Sequence, residues 1–222
     1  MTLSGDLRRD LTRRRLYLCT PDRPDLAAFV EDCIAGGVDV VQLRDKQLEA
    51  RPLLARARIV AEVCRDRGVP FVLNDRPDLA LAAGADGVHV GQDDAPVSVA
   101  REILGPDAIV GLSTHEPADL AAAEPEFESL TYISAGPVEP TPTKPGRAGT
   151  GLGYVTLASE QSSLPVFVTG GVTPEKVPLL AAAGVHHFVA VRYLCDAPDA
   201  RQAALALRGA IDRALSNAPS AA

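Results

Sequence analysis

The sequence predicts a single α/β domain of the closed (β/α)8 TIM barrel class, and two observations support this fold. Eight apolar runs recur along the 222-residue chain, each followed by a helical stretch, and they begin near residues 16, 39, 70, 87, 108, 131, 165 and 187. Polar, charged or glycine residues come directly after the runs, where a parallel barrel places its chemistry. The runs read LYLCT, VVQLRDK, FVLND, GVHVGQDD, IVGLS, YISAGP, VFVTGG and FVAVR.

The apolar runs have the character of buried parallel strands. They are continuously apolar rather than alternating, which is expected when both faces of a strand are covered. The intervals between them fit one strand and one helix, the minimum for a right-handed crossover. A doubly wound open sheet is the alternative, but it needs a glycine-rich turn after its first strand. The first run here ends in CTPDRPD, which has no such turn, so the barrel is favoured.

The stretches between the runs carry helix signals. A glycine or glycine pair ends the segments 25–37, 51–68 and 77–84, as is common at helix C-termini. Thr173 and Pro174 look like the N-cap and first position of another helix. Residues 199–215 form a strong final helix. We therefore predict a barrel domain over residues 15–215, a basic N-terminal extension over 1–14 and a flexible tail over 216–222.

Composition limits the partners of the chain. The net charge of −7 and the pI near 5.1 argue against nucleic acid as a partner. No apolar stretch approaches a membrane-spanning length, so we expect no membrane partner and a cytoplasmic location. The four cysteines show no CxxC spacing and are interpreted as reduced, packed thiols.

The second run ends in a cluster of groups suited to phosphate. Gln42 and Arg44 point to the same face of a strand, and Lys46 follows as the strand ends. Arginine offers a bidentate fork and lysine a point charge, a combination that suits phosphate oxygens. The alternative is a solvated loop in which Arg44 merely pairs with Asp45.

Two aspartates follow the third and fourth runs. Asp75 ends one strand and Asp94 lies just past its neighbour, so their carboxylates can converge on one cation. Mg²⁺ is commonly held by two carboxylates, with water and phosphate at its open positions. The alternative is that each aspartate caps the helix that follows it.

The fifth run ends in Ser113, which either donates to a phosphate or caps the next helix. No nucleophile elbow surrounds it, which argues against a hydrolase triad. His89 lies inside a strand and is interpreted as a packed, hydrogen-bonded residue. His115 lies near the barrel mouth, where a lone loop histidine is usually a surface group.

Two anion-binding regions are predicted at the barrel mouth: one has Arg44, Lys46, Lys144 and a metal, and the other has Gly171 and Arg192. The loops after the sixth, seventh and eighth runs contribute to both. The long loop GPVEPTPTKPGRAGTGLG offers Thr141, Thr143 and Lys144 to an anion, and its prolines favour an ordered loop. Gly170 and Gly171 let backbone N–H groups approach a phosphate, although the pair also suits a tight turn. Arg192 ends the eighth run beside them. Two phosphate-bearing substrates, one of them a diphosphate, fit these two regions.

The motifs QLRDK, LNDRPDLALAAGADGVHVGQDD, GLSTH, GPVEPTPTKPG and VTGGVTP, in this order, resemble thiamine phosphate synthases. The likeness covers about residues 16–195. It implies an enzyme that joins hydroxymethylpyrimidine pyrophosphate to hydroxyethylthiazole phosphate, giving thiamine phosphate and pyrophosphate by a dissociative displacement. Small phosphorylated molecules would be its partners, and a homo-oligomer stays open.

The resemblance also assigns roles to residues. It implies that Asp75 and Asp94 hold Mg²⁺ and that Thr141, Thr143 and Gly171 contact the thiazole phosphate. The residues implied to contact the pyrimidine pyrophosphate are Gln42, Arg44, Lys46, Asn74, Ser113 and Lys144. Among these, Arg44, Lys46, Ser113 and Lys144 are assigned catalytic roles. One departure is Arg192, where many family members have a small residue; it either grips the thiazole phosphate or points outward.

Three alternatives have different requirements. A thiazole tautomerase-like relative needs no diphosphate site. Arg44, Lys46, Asp75 and Asp94 are all present, which argues against this alternative. A non-catalytic ligand-binding relative would tolerate loss of the two aspartates, and both are present. A sugar-phosphate isomerase or epimerase needs a base at a strand end, and we find none better than these aspartates.

Overall fold

Eight parallel strands close into a barrel in the computed structural model, which describes residues 10–141 and 148–217. Neighbours in sequence are neighbours in the sheet, and the last strand pairs with the first, with Leu16 opposite Phe188. The strands are β1 Leu16–Thr20, β2 Val40–Leu43, β3 Phe71–Asn74, β4 Gly87–Val90, β5 Ile109–Thr114, β6 Tyr132–Ala135, β7 Val166–Val168 and β8 His187–Ala190. The predicted barrel is confirmed, and the open sheet is excluded because β1 and β8 are paired.

Helices surround the barrel, and at least one follows every strand within the described residues. They are α1 Leu26–Ala35, α2 Ala50–Arg67, α3 Pro77–Ala83, α4 Val97–Leu104, α5 Pro117–Ala123, α6 Gly151–Gln161, α7 Val177–Ala182, α8 Arg192–Cys195 and α9 Ala200–Ser216. A 3₁₀ helix, Glu124–Ser129, follows α5. The predicted glycine stops are present: Gly68 and Gly84 adopt left-handed conformations after α2 and α3.

The prediction that Thr173 and Pro174 begin a helix is wrong. The α7 helix begins at Val177, and the Thr173 carbonyl instead accepts turn hydrogen bonds from the N–H groups of Lys176 and Val177. This later start places Pro178 in the first turn of α7, where its missing N–H costs no helical hydrogen bond.

Two apolar cores hold the barrel together. The larger core lies between the strands and the helices, where alternate strand residues meet the buried faces of α1 to α9. The smaller core fills the barrel interior and consists of Leu11, Tyr17, Cys19, Val40, Val72, Ile109, Tyr132, Phe167 and Val189. Leu11, which falls within the predicted N-terminal extension, is only 2% exposed and belongs to this interior core. Residues 1–9 and 218–222, the rest of the extension and most of the predicted tail, lie outside the described residues.

None of the helices within residues 10–141 and 148–217 combines the length and the hydropathy needed to cross a bilayer. This finding agrees with the sequence, which contains no apolar stretch of that length.

We expect His187, at the start of β8, to make the fold sensitive to acid. Its Nδ1 contacts the Arg14 carbonyl at 2.6 Å, and burial lowers the pKa of His187 to about 4. Because this pKa lies below that of an unfolded histidine, about 6.5, the unfolded chain takes up the proton first and stability falls as the pH drops from about 6.5 toward 4. The loss from this group at pH 5 is about 2 kcal/mol.

Urea unfolding at pH 7.5 and pH 5 measures this effect. His187→Asn keeps a donor near the Arg14 carbonyl, and it should lose about 2 kcal/mol less than the unmodified chain between the two pH values. His186→Asn changes the exposed neighbour and should keep the full loss. Equal acid sensitivity of His187→Asn and the unmodified chain would contradict the prediction.

Candidate active site

A cavity of about 300 Å³ opens at the rim formed by the carboxyl ends of the strands. We call it the rim cavity. Seven of the residues predicted from sequence line it: Gln42, Arg44, Lys46, Asn74, Asp75, Asp94 and Ser113. They come from the ends of β2, β3 and β5 and from the loops after β2, β3 and β4. The structure therefore brings these residues together, because parallel strands deliver their carboxyl ends to one rim.

The basic groups of the rim cavity come from the end of β2. Gln42 is nearly buried, whereas Arg44 and Lys46 follow in the loop. The alternative pairing of Arg44 with Asp45 is not found, since the Asp45 carboxylate accepts the N–H groups of Gln47 and Leu48. Within the described part of the chain, the Arg44 guanidinium forms no ion pair. Its fork is therefore available to an anion in the rim cavity.

The two predicted metal ligands lie in contact. The carboxyl groups of Asp75 and Asp94 are hydrogen-bonded, and Lys46 Nζ lies 2.8 Å from Asp75 Oδ2. Burial and the contact with Asp94 raise the pKa of Asp75 despite the Lys46 charge. Burial also acts to raise the pKa of Asp94, but the hydrogen bonds from Asp75 and the Gly91 N–H outweigh it, so the pKa is lowered. The two carboxyl groups therefore lie close enough to offer oxygen ligands to one cation.

Backbone conformation holds both carboxylates in place. Asp75 has a φ of 63°, an uncommon conformation for a residue with a side chain, and its N–H donates to the His89 carbonyl at 2.8 Å. Asp94 Oδ2 accepts the Gly91 N–H at 2.8 Å. Neither aspartate caps a helix, because α3 and α4 have Arg76 and Pro96 at their N-cap positions, without side-chain cap bonds. The helix-cap alternative is therefore wrong for both.

A chain of buried hydrogen bonds forms the floor of the rim cavity. Gln42 Nε2 donates to the Tyr17 hydroxyl at 3.1 Å, and this hydroxyl lies 2.9 Å from that of Tyr132. The Tyr132 hydroxyl lies 2.9 Å from His89 Nδ1, and His89 Nε2 lies 2.8 Å from Ser113 Oγ. We call this series the floor chain. The prediction that His89 is packed and hydrogen-bonded is confirmed, and the cap alternative for Ser113 is wrong because Ser113 lies within β5.

Sequence reasoning missed the two tyrosines of the floor chain. Tyr17 and Tyr132 lie in apolar runs and resemble ordinary core residues in the sequence. Their position opposite one another, on β1 and β6, depends on barrel closure and leaves no local signal. His115 is also at the rim, with Nδ1 2.5 Å from the Gly136 carbonyl oxygen, so it is not merely a surface group.

A second cavity of about 320 Å³ adjoins the first and shares Thr169, Val189 and Val191 with it. Its lining includes four residues predicted from sequence: Thr141, Gly170, Gly171 and Arg192. The left-handed glycines Gly170 and Gly171 form part of its wall. Thr143 and Lys144, also assigned from sequence, lie outside the described residues.

An ion pair that the sequence did not indicate lies beside Gly171, one of the residues that line the second cavity. Lys176 Nζ bonds both carboxylate oxygens of Glu139, at 2.6 and 2.5 Å. A Cβ on Gly171 would lie 2.6 Å from Glu139 Oε2, so this ion pair sits directly over the glycine. The pair links the loop after β6 to the loop after β7.

Comparison with known proteins gives a consistent result. The family model described as thiamine monophosphate synthase matches residues 16–194. The chain belongs to this family. The thiamine-phosphate synthase of Mycobacterium tuberculosis (strain ATCC 25177 / H37Ra) is 46% identical over 218 residues, covering 92% of this chain and 97% of that protein. That of Thermobifida fusca is 45% identical over 206 residues, covering 91% and 94%.

A solved structure agrees with the family assignment. The thiamine phosphate pyrophosphorylase from Pyrococcus furiosus superposes with a TM-score of 0.82 at 29% identity, covering 94% of this chain and 99% of that chain. The same barrel mouth carries the rim cavity and the second cavity beside it.

Proposed function

We propose that this chain is a thiamine phosphate synthase that couples hydroxymethylpyrimidine pyrophosphate to hydroxyethylthiazole phosphate. The observation that supports this most is the pair of adjoining cavities with a shared wall of Thr169, Val189 and Val191. One cavity carries basic groups beside two carboxyls, and the other carries glycines whose N–H groups suit a single phosphate. A reaction between a diphosphate ester and a phosphate ester needs this arrangement.

The proposed step is a displacement at the pyrimidinylmethyl carbon. The bond from this carbon to the diphosphate oxygen breaks, and its electron pair leaves with the pyrophosphate. The thiazole nitrogen then supplies the electron pair of the new carbon–nitrogen bond, giving thiamine phosphate. No proton needs to be removed, so the site requires no general base.

Arg44 and Lys46 line the rim cavity where the leaving pyrophosphate would gather charge. Their interaction with the pyrophosphate strengthens as the bond breaks. This lowers the free energy of the reaction's transition state more than that of its ground state. We propose the same role for Lys144. Gln42 and Asn74 would bind the pyrimidine ester, and Ser113 would donate to it from the end of β5.

The carboxyl pair fits a magnesium ion. Asp75 and Asp94 are in contact, and burial together with the neighbouring Asp94 carboxyl raises the pKa of Asp75. Mg²⁺ prefers such oxygen ligands and keeps positions for water and phosphate. When bound it would supply positive charge next to the leaving group.

Thr141, Thr143, Gly171 and Arg192 are our candidates for binding the thiazole phosphate. Arg192 lines the second cavity from the start of α8, which supports the first of its two sequence-based alternatives. The thiazole tautomerase-like alternative needs no diphosphate site and is not favoured by any feature of the rim cavity.

We also propose a cytoplasmic location, because Cys19, Cys33, Cys64 and Cys195 are all reduced thiols. A homo-oligomer is compatible with this function, and size-exclusion chromatography with light scattering would measure the assembly.

A pyrophosphate-release assay tests the proposed function. Both precursors together with Mg²⁺ should release pyrophosphate and form thiamine phosphate in equal amounts. Omission of the thiazole phosphate should stop thiamine phosphate formation, and omission of the pyrimidine ester should stop both products. Absence of thiamine phosphate with both precursors present would refute the proposal.

Asp94→Asn should lower Mg²⁺-dependent turnover by about 100-fold or more, because it removes a charged ligand. The asparagine keeps an oxygen that can accept the Gly91 N–H, so the loop should remain folded. Activity is measured across a Mg²⁺ titration, with Asp93→Asn as a charge-matched control in the same loop. Unchanged turnover and Mg²⁺ dependence in Asp94→Asn would remove the metal assignment.

Arg44→Ala should lower kcat by about 100-fold, since a charge-assisted donor to a developing anion is worth about 3 kcal/mol. Arg51→Ala, on the exposed start of α2, removes the same charge away from the cavity and should change kcat less than about threefold. If Arg44→Ala altered only KM, Arg44 would bind substrate without stabilising the transition state.

A further inference from the structure

The floor chain connects two residues that the proposed function uses. Gln42 stands at one end and Ser113 at the other, with Tyr17, Tyr132 and His89 between them. The three connecting residues have no role in the proposed reaction, yet all of them border the rim cavity.

The Gln42 amide determines which group donates and which accepts in each hydrogen bond of the floor chain. Cys19 Sγ donates to Gln42 Oε1 at 2.9 Å, so the amide nitrogen faces the Tyr17 hydroxyl and donates to it. A flipped amide would place its N–H₂ group against the sulfur, which is only a weak acceptor. The Tyr17 hydroxyl oxygen therefore accepts a hydrogen bond from Gln42, and the Tyr17 O–H must donate to another group.

The tyrosine protons pass this direction on. Burial raises the pKa of Tyr17 and of Tyr132 well above the ordinary value, so each phenol keeps its single proton. Tyr17 then donates to Tyr132, and Tyr132 donates to His89 Nδ1. In the opposite direction, the Tyr17 proton would face the Gln42 N–H, and two buried donors would oppose each other.

His89 transmits the direction to Ser113. When Nδ1 accepts from Tyr132, neutral His89 carries its proton on Nε2 and donates it to Ser113 Oγ. Ser134 Oγ also approaches Ser113 Oγ as a donor, at 3.5 Å. The hydroxyl proton of Ser113 is then left to point into the rim cavity.

We propose that Tyr132 and His89 are positioning residues. Tyr132 holds His89 as the Nε2–H tautomer, and His89 in this tautomer makes Ser113 a hydrogen-bond donor to the diphosphate ester. This inference rests on the proposed function for the identity of the ligand. The tautomer itself is a property of the ligand-free protein.

Packing restrains the same residues. The His89 and Tyr132 rings are stacked, with 5.5 Å between centroids and 22° between planes. Tyr132 also covers Gly111, where an added Cβ would lie 2.1 Å from Tyr132 Cζ. A glycine at this position of β5 gives the Tyr132 ring the space it needs to reach His89.

Nitrogen-15 NMR of histidine side chains in the ligand-free protein tests the tautomer directly. Long-range ¹H–¹⁵N correlations distinguish the two neutral tautomers, and the signal that disappears in His89→Asn identifies the residue. The unmodified protein should show His89 as Nε2–H. In Tyr132→Phe, Nδ1 loses its donor, and the Nδ1–H tautomer should become populated.

Kinetics test whether the tautomer matters to the reaction. Tyr132→Phe should lower kcat about tenfold, the loss of one well-placed hydrogen bond, while KM for the pyrimidine ester changes less than about threefold. Tyr154→Phe removes a buried tyrosine hydroxyl on α6, outside the floor chain. This matched control should keep the Nε2–H tautomer and retain kcat within about threefold.

A double-mutant cycle separates positioning from general destabilisation. In a Ser113→Ala background, Tyr132→Phe should have no further effect on kcat, because the donor that it orients is absent. An Nδ1–H His89 in the unmodified protein, additive losses in the cycle, or an unchanged kcat in Tyr132→Phe would each overturn the inference. An unmodified protein that shows the expected tautomer but forms no thiamine phosphate would instead refute the proposed function.

Discussion

Closure of the sheet between β1 and β8 is the constraint on which the rest of the structure depends. This pairing converts eight strands into a ring, and the parallel register sends every carboxyl end to the same rim. Groups from residues as distant in sequence as Gln42 and Val191 therefore border one cavity. An open sheet would bring only neighbouring strand ends together, whereas the ring also brings β1 opposite β6.

The interior of the ring combines stability with chemistry. Its lower part is filled by apolar side chains, and Leu11 and Phe167 belong to this packing. Its upper part is polar, yet each group of the floor chain has a partner, as buried polar groups require. Because water is largely excluded, these hydrogen bonds have fixed geometry, and the groups that face the rim cavity are held by the fold.

Much of the fold could be predicted because its signals are local. The apolar residues FVL begin β3, which ends at the polar Asn74, and Gly68 ends α2 as its position indicates. The helix start predicted at Thr173 and Pro174 is wrong because these two residues are compatible both with a helix N-terminus and with a turn that precedes a helix. Packing of Val177 and Leu180 against the barrel decides where α7 begins.

The candidate site could be predicted in part for the same reason. Asp75 and Asp94 follow adjacent strands, so their convergence could be inferred, but the sequence could not distinguish a metal pair from two helix caps. The structure excludes the two caps, because Arg76 and Pro96 occupy the N-cap positions, and the metal pair is a proposal. Tyr17 and Tyr132 could not be identified, since their relation exists only across the closed barrel.

Diffraction from crystals soaked with Mn²⁺ and pyrophosphate tests the central claim, that one rim holds a diphosphate and its cation, most directly. We expect one anomalous peak from Mn²⁺ between Asp75 and Asp94, with electron density for pyrophosphate beside Arg44 and Lys46. Pyrophosphate bound instead at the opposite end of the barrel, in the basic groove of Arg13, Arg15 and Arg208, with no peak at the two aspartates, would contradict it.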